Sequence, residues 1–288
     1  MATRTPFISR NWLLAVPTLL LSTLCWSQPL PTGRPDTKSA SVLVIDDSDG
    51  SVLYSKQAQK VMPIASITKL MTALVVLEGQ QPLDEAVEIL PIDRERTKAS
   101  ASRLTVGTEL SRGDLLHLAL MSSENRAAQA VGRAYTGGLP AFIKAMNTKA
   151  KALGMKNSRF VDPTGLSSGN VASAADLTRL VIAAAQQPLI EEYSTSDRLT
   201  VPVGRQLLEF RNTNSLTSKD DWQIAVQKTG FTQDAGQCLV MKATIQDRST
   251  IIVLLNSYGK LTRVADARRI RRWIEGGSKG AQLARTGR

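Results

Sequence analysis

The chain has 288 residues, of which 42% are hydrophobic and 21% charged, and its formal net charge is +11 at pH 7. This length and composition exclude a disordered or fibrous protein and predict one substantial domain or two small ones. The positive charge suits a polyanionic neighbour such as nucleic acid, an acidic membrane surface or an anionic cell-wall polymer. Because the basic residues are mostly dispersed and no nucleic-acid motif occurs, we predict no nucleic-acid partner.

Residues 1–27 have the order of a secretory signal peptide. Two arginines precede an apolar run over 12–24, and small residues follow near Ser27. The alternative is an uncleaved membrane anchor, but the run contains Pro17 and is shorter than the about 20 apolar residues that span a bilayer. We predict export to the periplasm and cleavage, which leaves a flexible lead-in over 28–39.

Cysteine and histidine are scarce. Cys25 lies in the predicted signal peptide, and the bulky Leu24 before it argues against lipidation. Cleavage leaves Cys238 alone, so no internal disulfide is predicted. His117 is the only histidine of the chain, and a zinc site built on one histidine and one cysteine is improbable. We predict no metal and no cofactor.

The first elements after residue 39 are two short alternating runs, "ASVLVIDD" and "SVLYSK", which predict a hairpin across "SDG". A helix over about 66–78 follows. The stretch "SRGDLLHLALMSSENRAAQAVGRAY" is typical of helical structure broken near 122–125. Two further helices are predicted, one over 140–153 with Gly154 in the stop position and one in "SAADLTRLVIAAAQQ" capped by Ser173.

Four strand-like segments then follow with the spacing of a meander: "QLLEFRNTN", "IAVQKTGF", "QCLVMKATI" and "STIIVLLNS". Strands at both ends around a helical middle predict one α+β domain over 40–276, in which N- and C-terminal strands share an antiparallel sheet. A tail over 277–288 is expected to follow this domain.

The segment "LTRVADARRIRRWIEGG" is predicted to be an amphipathic helix that ends the domain. Apolar residues recur at helical spacing, which predicts packing on the sheet: Val264, Ala267, Ile270 and Ile274. The alternative is that the arginine-rich face makes weak peripheral contact with an anionic membrane or with wall polymers.

The first motif is Ser66-Ile67-Thr68-Lys69, at the start of the apolar helix. Positions i and i+3 of a helix share a face, so the amine of Lys69 can reach the hydroxyl of Ser66. A serine needs a base to become nucleophilic, and lysine is such a base only where burial or another cation favours its neutral form. Ser-x-x-Lys occurs by chance about once in a chain of this length, and a capped helix with a snorkelling lysine is the structural alternative.

Two more short motifs follow. Ser123-Glu124-Asn125, at the predicted helix break, can point a hydroxyl and an amide into one cleft, although this motif taken alone favours a plain helix N-cap. Lys228-Thr229-Gly230 places a cation and a hydroxyl on a strand that can pair with an extended substrate and meet its carboxylate. The glycine indicates either close approach of another backbone or a bulge.

The three motifs become specific through their joint order, with separations of 57 (123 − 66) and 105 (228 − 123) residues. Together they are the signature of penicillin-binding proteins and class A β-lactamases. The chain resembles the low-molecular-mass penicillin-binding proteins, and among them the D-alanyl-D-alanine endopeptidases, over about 40–276. Further similar stretches are "IASITKLMTA", "LALMSSENRAA", "RFVDPTGLS", "FRNTNSL", "KTGFTQDAGQCLVM" and "RRWIE".

This resemblance implies a β-lactamase/DD-peptidase-like α+β fold, an antiparallel sheet flanked by helices with an all-helical subdomain. It implies that Ser66 is the nucleophile, that Lys69 is its base and that Ser123 relays the proton to the leaving amine. Peptidoglycan peptides are the implied substrates and β-lactams the implied inhibitors.

The remaining implied residues bind the substrate. Asn125 would orient the peptide, while Lys228 and Thr229, followed by Gly230, would hold a carboxylate and help set the protonation of Lys69. Backbone N–H groups of Ser66 and Phe231 would form the oxyanion hole.

Three competing functions are weighed against hydrolysis of D-alanyl cross-links. Class A β-lactamases add a Glu-x-x-Leu-Asn stretch, which does not occur here. Carboxypeptidases of the family usually continue into a second β-rich domain and an amphipathic helix, and the 58 residues (288 − 230) after Gly230 are too few for both. A penicillin-sensing or wall-binding module that never turns over would not need the complete motif set. A serine DD-endopeptidase is therefore expected, with D-Ala-D-Ala carboxypeptidase as the alternative.

Overall fold

The structure, a computed structural model, describes residues 33–98 and 100–286. The predicted signal peptide and residues 28–32 of the lead-in lie outside the described residues. The strands are β1 (Ser39–Asp46), β2 (Val52–Lys56), β3 (Met62–Pro63), β4 (Ala86–Glu88), β5 (Glu109–Ser111), β6 (Val171–Ala172), β7 (Arg198–Val203), β8 (Gln206–Arg211), β9 (Gln223–Thr232), β10 (Gly236–Ile245) and β11 (Arg248–Ser257). The helices are α1 (Thr68–Glu78), α2 (Pro91–Arg96), α3 (Arg112–Met121), α4 (Asn125–Arg133), α5 (Gly138–Ala152), α6 (Ala174–Ala184), α7 (Pro188–Thr195) and α8 (Thr262–Thr286).

A five-stranded antiparallel sheet joins the two ends of the chain. Its strand order is β2-β1-β11-β10-β9, and Val44 of β1 pairs with Ile252 of β11. The predicted hairpin and the predicted sheet shared by N- and C-terminal strands are both confirmed. The α+β class is confirmed as well, with α1 to α7 lying between β2 and β9 along the chain.

Both faces of this sheet are covered, which explains the continuous apolar run in β11. Ile251, Val253 and Leu255 belong to the core that the sheet shares with the helices of the middle region. Ile252 and Leu254 belong to a second core on the opposite face, under α8. Alternation along one strand therefore supplies two separate cores.

Helix α8 covers the second face through the predicted residues. Ala267, Ile270 and Ile274 are buried against sheet residues such as Leu239, and Val264 is partly buried beside them. The predicted core role of this helix is confirmed. Contact of its arginine-rich face with anionic lipid or polymer stays a prediction.

The helices of the middle region begin close to where capping residues predict. Ser173 caps α6 and accepts a hydrogen bond from the Asp176 backbone N–H at 3.1 Å. Helix α5 begins two residues before the predicted 140, and the break near 122–125 separates α3 from α4.

The expected four-strand meander is wrong for its first member. The segment "QLLEFR" forms β8 and, within the described residues, pairs with β7 alone in a separate two-stranded hairpin, while β9, β10 and β11 form the meander. The reason is local: Val203 pairs with Gln206 across two turn residues, and Gly204 there has φ +60°. A tight turn of this kind selects the neighbouring strand as partner.

No helix in the described part of the chain is both long and apolar enough to cross a lipid bilayer.

Candidate active site

Ser66 lies in a short 3₁₀ helix (Ala65–Ile67) directly before α1, rather than within the α-helix itself. The Ile67 N–H donates to Ile64 O at 3.2 Å, the i to i−3 pattern of a 3₁₀ turn. Ala65 has φ +47°, a left-handed conformation that is costly for a residue with a Cβ. Backbone strain of this kind clusters at active sites and ligand-binding turns.

Two glycines allow other backbones to contact the Ser66 turn. Gly165 has φ +83°, and a Cβ on it would lie 1.9 Å from Ala65 O. A Cβ on Gly230 would lie 3.1 Å from Ser66 N. Gly230 pairs regularly with Cys238, and the irregularity of this ladder lies elsewhere, between Lys242 and Ala243. Gly230 therefore reflects close backbone approach, not a bulge.

The Lys69 amine is the centre of the site. The side chain is completely buried, and Nζ donates to Ser66 Oγ at 2.8 Å, Asn125 Oδ1 at 2.7 Å and Thr164 O at 2.7 Å. Burial lowers the pKa of Lys69 from 10.5 to about 7, although the negative charges of Asp162 and Glu124 oppose the shift. The predicted contact between Ser66 and Lys69 is present, and a large fraction of this amine is neutral near pH 7.

The second motif connects α3 to α4. Ser123 has φ +61° and borders a cavity of about 560 Å³. The cap of α4 is Glu124, whose Oε2 accepts from the Arg126 N–H at 3.2 Å, so Ser123 is not the helix cap. Asn125 is the first residue of α4 and reaches Lys69. The turn therefore places the Asn125 amide on the buried amine and Ser123 in the lining of the cavity.

Lys228 lies in β9, the edge strand of the large sheet. Its side chain is completely buried, and Nζ donates to Thr229 O at 3.0 Å. Burial, together with the positive charges of Lys69 and Arg263, holds the pKa of Lys228 well below its ordinary value. Mutual repulsion therefore disfavours the state in which both buried lysines carry a charge.

Thr229 connects the third motif to the second. Its hydroxyl shares a hydrogen bond of 2.6 Å with the hydroxyl of Thr213, whose N–H donates to Met121 O at 3.1 Å at the end of α3. Phe231 follows in β9, pairs with Gln237 and leaves 54% of its surface exposed. The stretch "FRNTNSL" resembles the family, but the sequence did not predict that Thr213 connects Thr229 to the end of α3, because these segments lie far apart in the chain.

Arg263 is a further cation that the sequence did not reveal. Its Nη1 donates to Gly230 O at 2.7 Å and to Cys238 O at 3.2 Å, so the guanidinium lies against the third motif. Burial lowers the pKa of Arg263. The one sequence signal for Arg263 is its position at the start of α8. The helical pattern there predicted only that neighbouring apolar residues pack in the core.

A protein-family model described as D-alanyl-D-alanine carboxypeptidase matches residues 28–259. The chain belongs to this family. It is 49% identical to a D-alanyl-D-alanine endopeptidase of Pseudomonas aeruginosa, over 93% of this chain and 90% of that protein. A D-alanyl-D-alanine endopeptidase of Escherichia coli is 46% identical, with 95% of this chain and 89% of that protein covered.

The fold also matches solved structures of the family. The crystal structure of a Streptomyces DD-transpeptidase superposes with a TM-score of 0.77 at 27% identity, covering 84% of this chain and 98% of that one. The DD-peptidase-like fold expected from the motifs is thereby confirmed.

The loop 161–170 supplies a part of the site that sequence reasoning passed over. Asp162 organises it by accepting hydrogen bonds of 2.7–3.0 Å from N and Oγ1 of Thr164, N of Gly165, N of Ser167 and Nδ2 of Asn170. The loop thus holds Thr164 O on the Lys69 amine and Gly165 against the Ser66 turn. The Asp-Pro-Thr-Gly turn residues can be recognised in the sequence, but their contact with the Lys69 amine cannot.

Asp162→Ala is expected to slow acylation by penicillin about tenfold, because small displacements of reacting groups are costly. It should also destabilise the fold by about 1–3 kcal/mol, since several loop donors lose their acceptor. Stopped-flow acylation and thermal unfolding measure the two effects. The matched control is Asp197→Ala at an exposed aspartate, and an unchanged acylation rate in Asp162→Ala would contradict the positioning role.

Proposed function

We propose that this protein is a serine D-alanyl-D-alanine endopeptidase that hydrolyses D-alanyl cross-links of peptidoglycan through an acyl-enzyme on Ser66. The observation that carries this proposal is the buried Lys69 amine, bonded at once to Ser66 Oγ and Asn125 Oδ1. The endopeptidase assignment over that of a carboxypeptidase is supported by the two relatives of that name at 49% and 46% identity.

Acylation begins on the neutral form of Lys69. Its lone pair accepts the Ser66 hydroxyl proton while Oγ attacks the carbonyl carbon of the D-alanine before the cross-link. The backbone N–H groups of Ser66 and Phe231 are proposed to stabilise the oxyanion. Collapse of the tetrahedral intermediate breaks the C–N bond, and the leaving amine receives its proton through Ser123. Water then hydrolyses the ester and releases the D-alanyl product.

Substrate binding uses the exposed side of β9. An extended peptide can add to an edge strand through backbone hydrogen bonds, and β9 is the edge of its sheet. Asn125 Oδ1 is occupied by Lys69, which leaves its Nδ2 to donate to a peptide carbonyl. Lys228 and Thr229 are proposed to hold the carboxylate next to the cleaved bond, and Arg263, which lies beside Gly230, adds positive charge to this strand.

Penicillin and other β-lactams are proposed to acylate the same serine and to inhibit the enzyme. The site of action is proposed to be the periplasm, reached with the signal peptide 1–27, since cross-linked wall peptides lie outside the inner membrane. A weak contact of α8 with anionic membrane or wall polymers would keep the enzyme near its substrate.

Purified cross-linked muropeptide dimers provide the test. We expect the protein to convert dimers into monomers and to expose the side-chain amine of the acceptor strand, measured by chromatography and mass spectrometry. Release of terminal D-alanine from intact dimers would instead make the protein a carboxypeptidase. Covalent penicillin labelling without turnover of any peptide would favour a sensing module.

A further inference from the structure

The cavity beside Ser123 extends the site beyond the catalytic motifs. Its volume is about 560 Å³, and its walls are residues 101–103 on one side and 209–211 at the end of β8 on the other, with 122–124 between them. Ser123 is the member of this lining to which the proposed reaction assigns a role. Ser123 therefore belongs both to the lining of this cavity and to the proposed active site.

Arg103 is an exposed residue of one wall, and two contacts orient its side chain. Its guanidinium lies 4.0 Å from the centroid of the Phe210 ring, and Nη2 donates to Glu209 O at 2.7 Å. Phe210 is only 4% exposed, so the ring is a rigid platform for the cation. A guanidinium has five N–H donors, and within the described chain Arg103 uses one of them in this hydrogen bond. The guanidinium of Arg103 is thus oriented by these contacts and keeps N–H groups that this hydrogen bond does not use.

The charge of Arg103 is not neutralised by the carboxylate nearby. Glu209 already accepts from Arg211 Nε at 2.7 Å and forms an ion pair with Arg198 at 3.4 Å. Arg211 itself borders the cavity. Two arginines, Arg103 and Arg211, and two glutamates, Glu124 and Glu209, line the groove. Among the described residues, Arg103 is the lining arginine that forms no ion pair with these carboxylates, which makes it the cation most available to a ligand.

The wall that carries Arg103 is fastened to the second motif. Ser102 Oγ donates to Glu124 Oε1, and Arg126 Nη1 donates to Leu104 O. Glu124 is 5% exposed, and burial raises its pKa. The residues on both sides of Arg103 are thus hydrogen-bonded to the segment that carries Ser123 and Asn125. These bonds fix the position of a ligand on Arg103 relative to the catalytic motifs.

We propose that this groove is a subsite for a carboxylate of the substrate's peptide stem, distinct from the carboxylate next to the cleaved bond, and that Arg103 is its anchor. A fixed guanidinium matches a carboxylate with two parallel hydrogen bonds. The subsite rests on the proposed function. It makes Arg103 a specificity residue, because Arg103 would favour substrates whose peptide stem extends beyond Ser123 and carries a carboxylate there.

The test compares two cross-linked peptide dimers that differ only in the stem, one with a free stem carboxylate and one with the corresponding carboxamide. Wild-type protein is expected to prefer the carboxylate about tenfold in kcat/KM, mainly through KM, the range of a charge-assisted hydrogen bond. In Arg103→Gln the preference falls to about one, and Arg103→Lys retains part of it. The matched control, Arg205→Gln in the exposed β7–β8 turn, keeps the preference.

Equal hydrolysis of the two dimers by wild-type protein, or an undiminished preference in Arg103→Gln, would overturn the subsite. Calorimetric binding of the same dimers to the Ser66→Ala protein supplies a readout that needs no turnover. If wild-type protein cleaves neither dimer, the endopeptidase proposal fails, and the binding difference between the two dimers still decides the subsite.

Discussion

Ser66→Ala is expected to abolish covalent labelling by a fluorescent penicillin and to lower peptide hydrolysis on the order of 10⁴-fold or more. The hydroxyl is the atom to which the acyl group would be joined, and alanine offers no substitute. The backbone around it should be unaffected, because the turn is held through main-chain contacts with Gly165 and Gly230. Gel fluorescence measures the label and chromatography the hydrolysis.

The matched control for this substitution is Ser215→Ala, which removes the hydroxyl of an exposed serine. It should label and hydrolyse at wild-type rates. Label persisting on Ser66→Ala would show that another residue is acylated, and the proposed mechanism would be wrong.

The acylation rate is expected to fall about tenfold for each pH unit below about 7 and to level off above it. Only the neutral Lys69 amine can accept the serine proton, and its pKa of about 7 places the transition there. The sign follows from burial, which disfavours the charged form, so the active species is present at high pH and is lost as pH falls through 7. Penicillin acylation rates between pH 5 and 9 give the profile.

Lys69→Arg provides the companion variant, because a guanidinium stays protonated and cannot act as the base. We expect a loss of about 10²- to 10⁴-fold at pH 8, the usual contribution of a general base. Lys144→Arg, at an exposed position of α5, is the matched control. A flat pH profile in the wild type would exclude Lys69 as the base, whereas a midpoint near 10 would contradict the lowering of its pKa by burial.

Opposing effects of burial and of neighbouring charges set the pKa of Lys69. Asp162 and Glu124 favour its charged form and burial disfavours it, while Lys228 experiences the positive charges of Lys69 and Arg263. Gain of a proton by Lys69 would therefore be favoured by the two carboxylates and opposed by burial.

Features that depend on short spacing and periodicity could be predicted from the amino-acid sequence. Two alternating runs predicted the β1–β2 hairpin, helical recurrence of apolar residues predicted the packing of α8, and the i, i+3 spacing predicted the contact between Ser66 and Lys69. Each depends on residues close in the chain, whose relative positions the local backbone geometry constrains strongly. The order of the three motifs then identified the family, and that resemblance supplied the roles.

The groups that meet at the Lys69 amine, and the lowering of its pKa, could be recognised only from the folded structure. Asn125 and Thr164 lie 56 and 95 residues from Lys69 in the chain, and Arg263 reaches the site from the final helix. The pKa of Lys69 depends on complete burial by several segments, which no local pattern records. Local sequence also failed to predict two further features, the pairing of β8 with β7 and the 3₁₀ turn at Ser66. In both, tertiary packing outweighs the weaker preference of the local sequence.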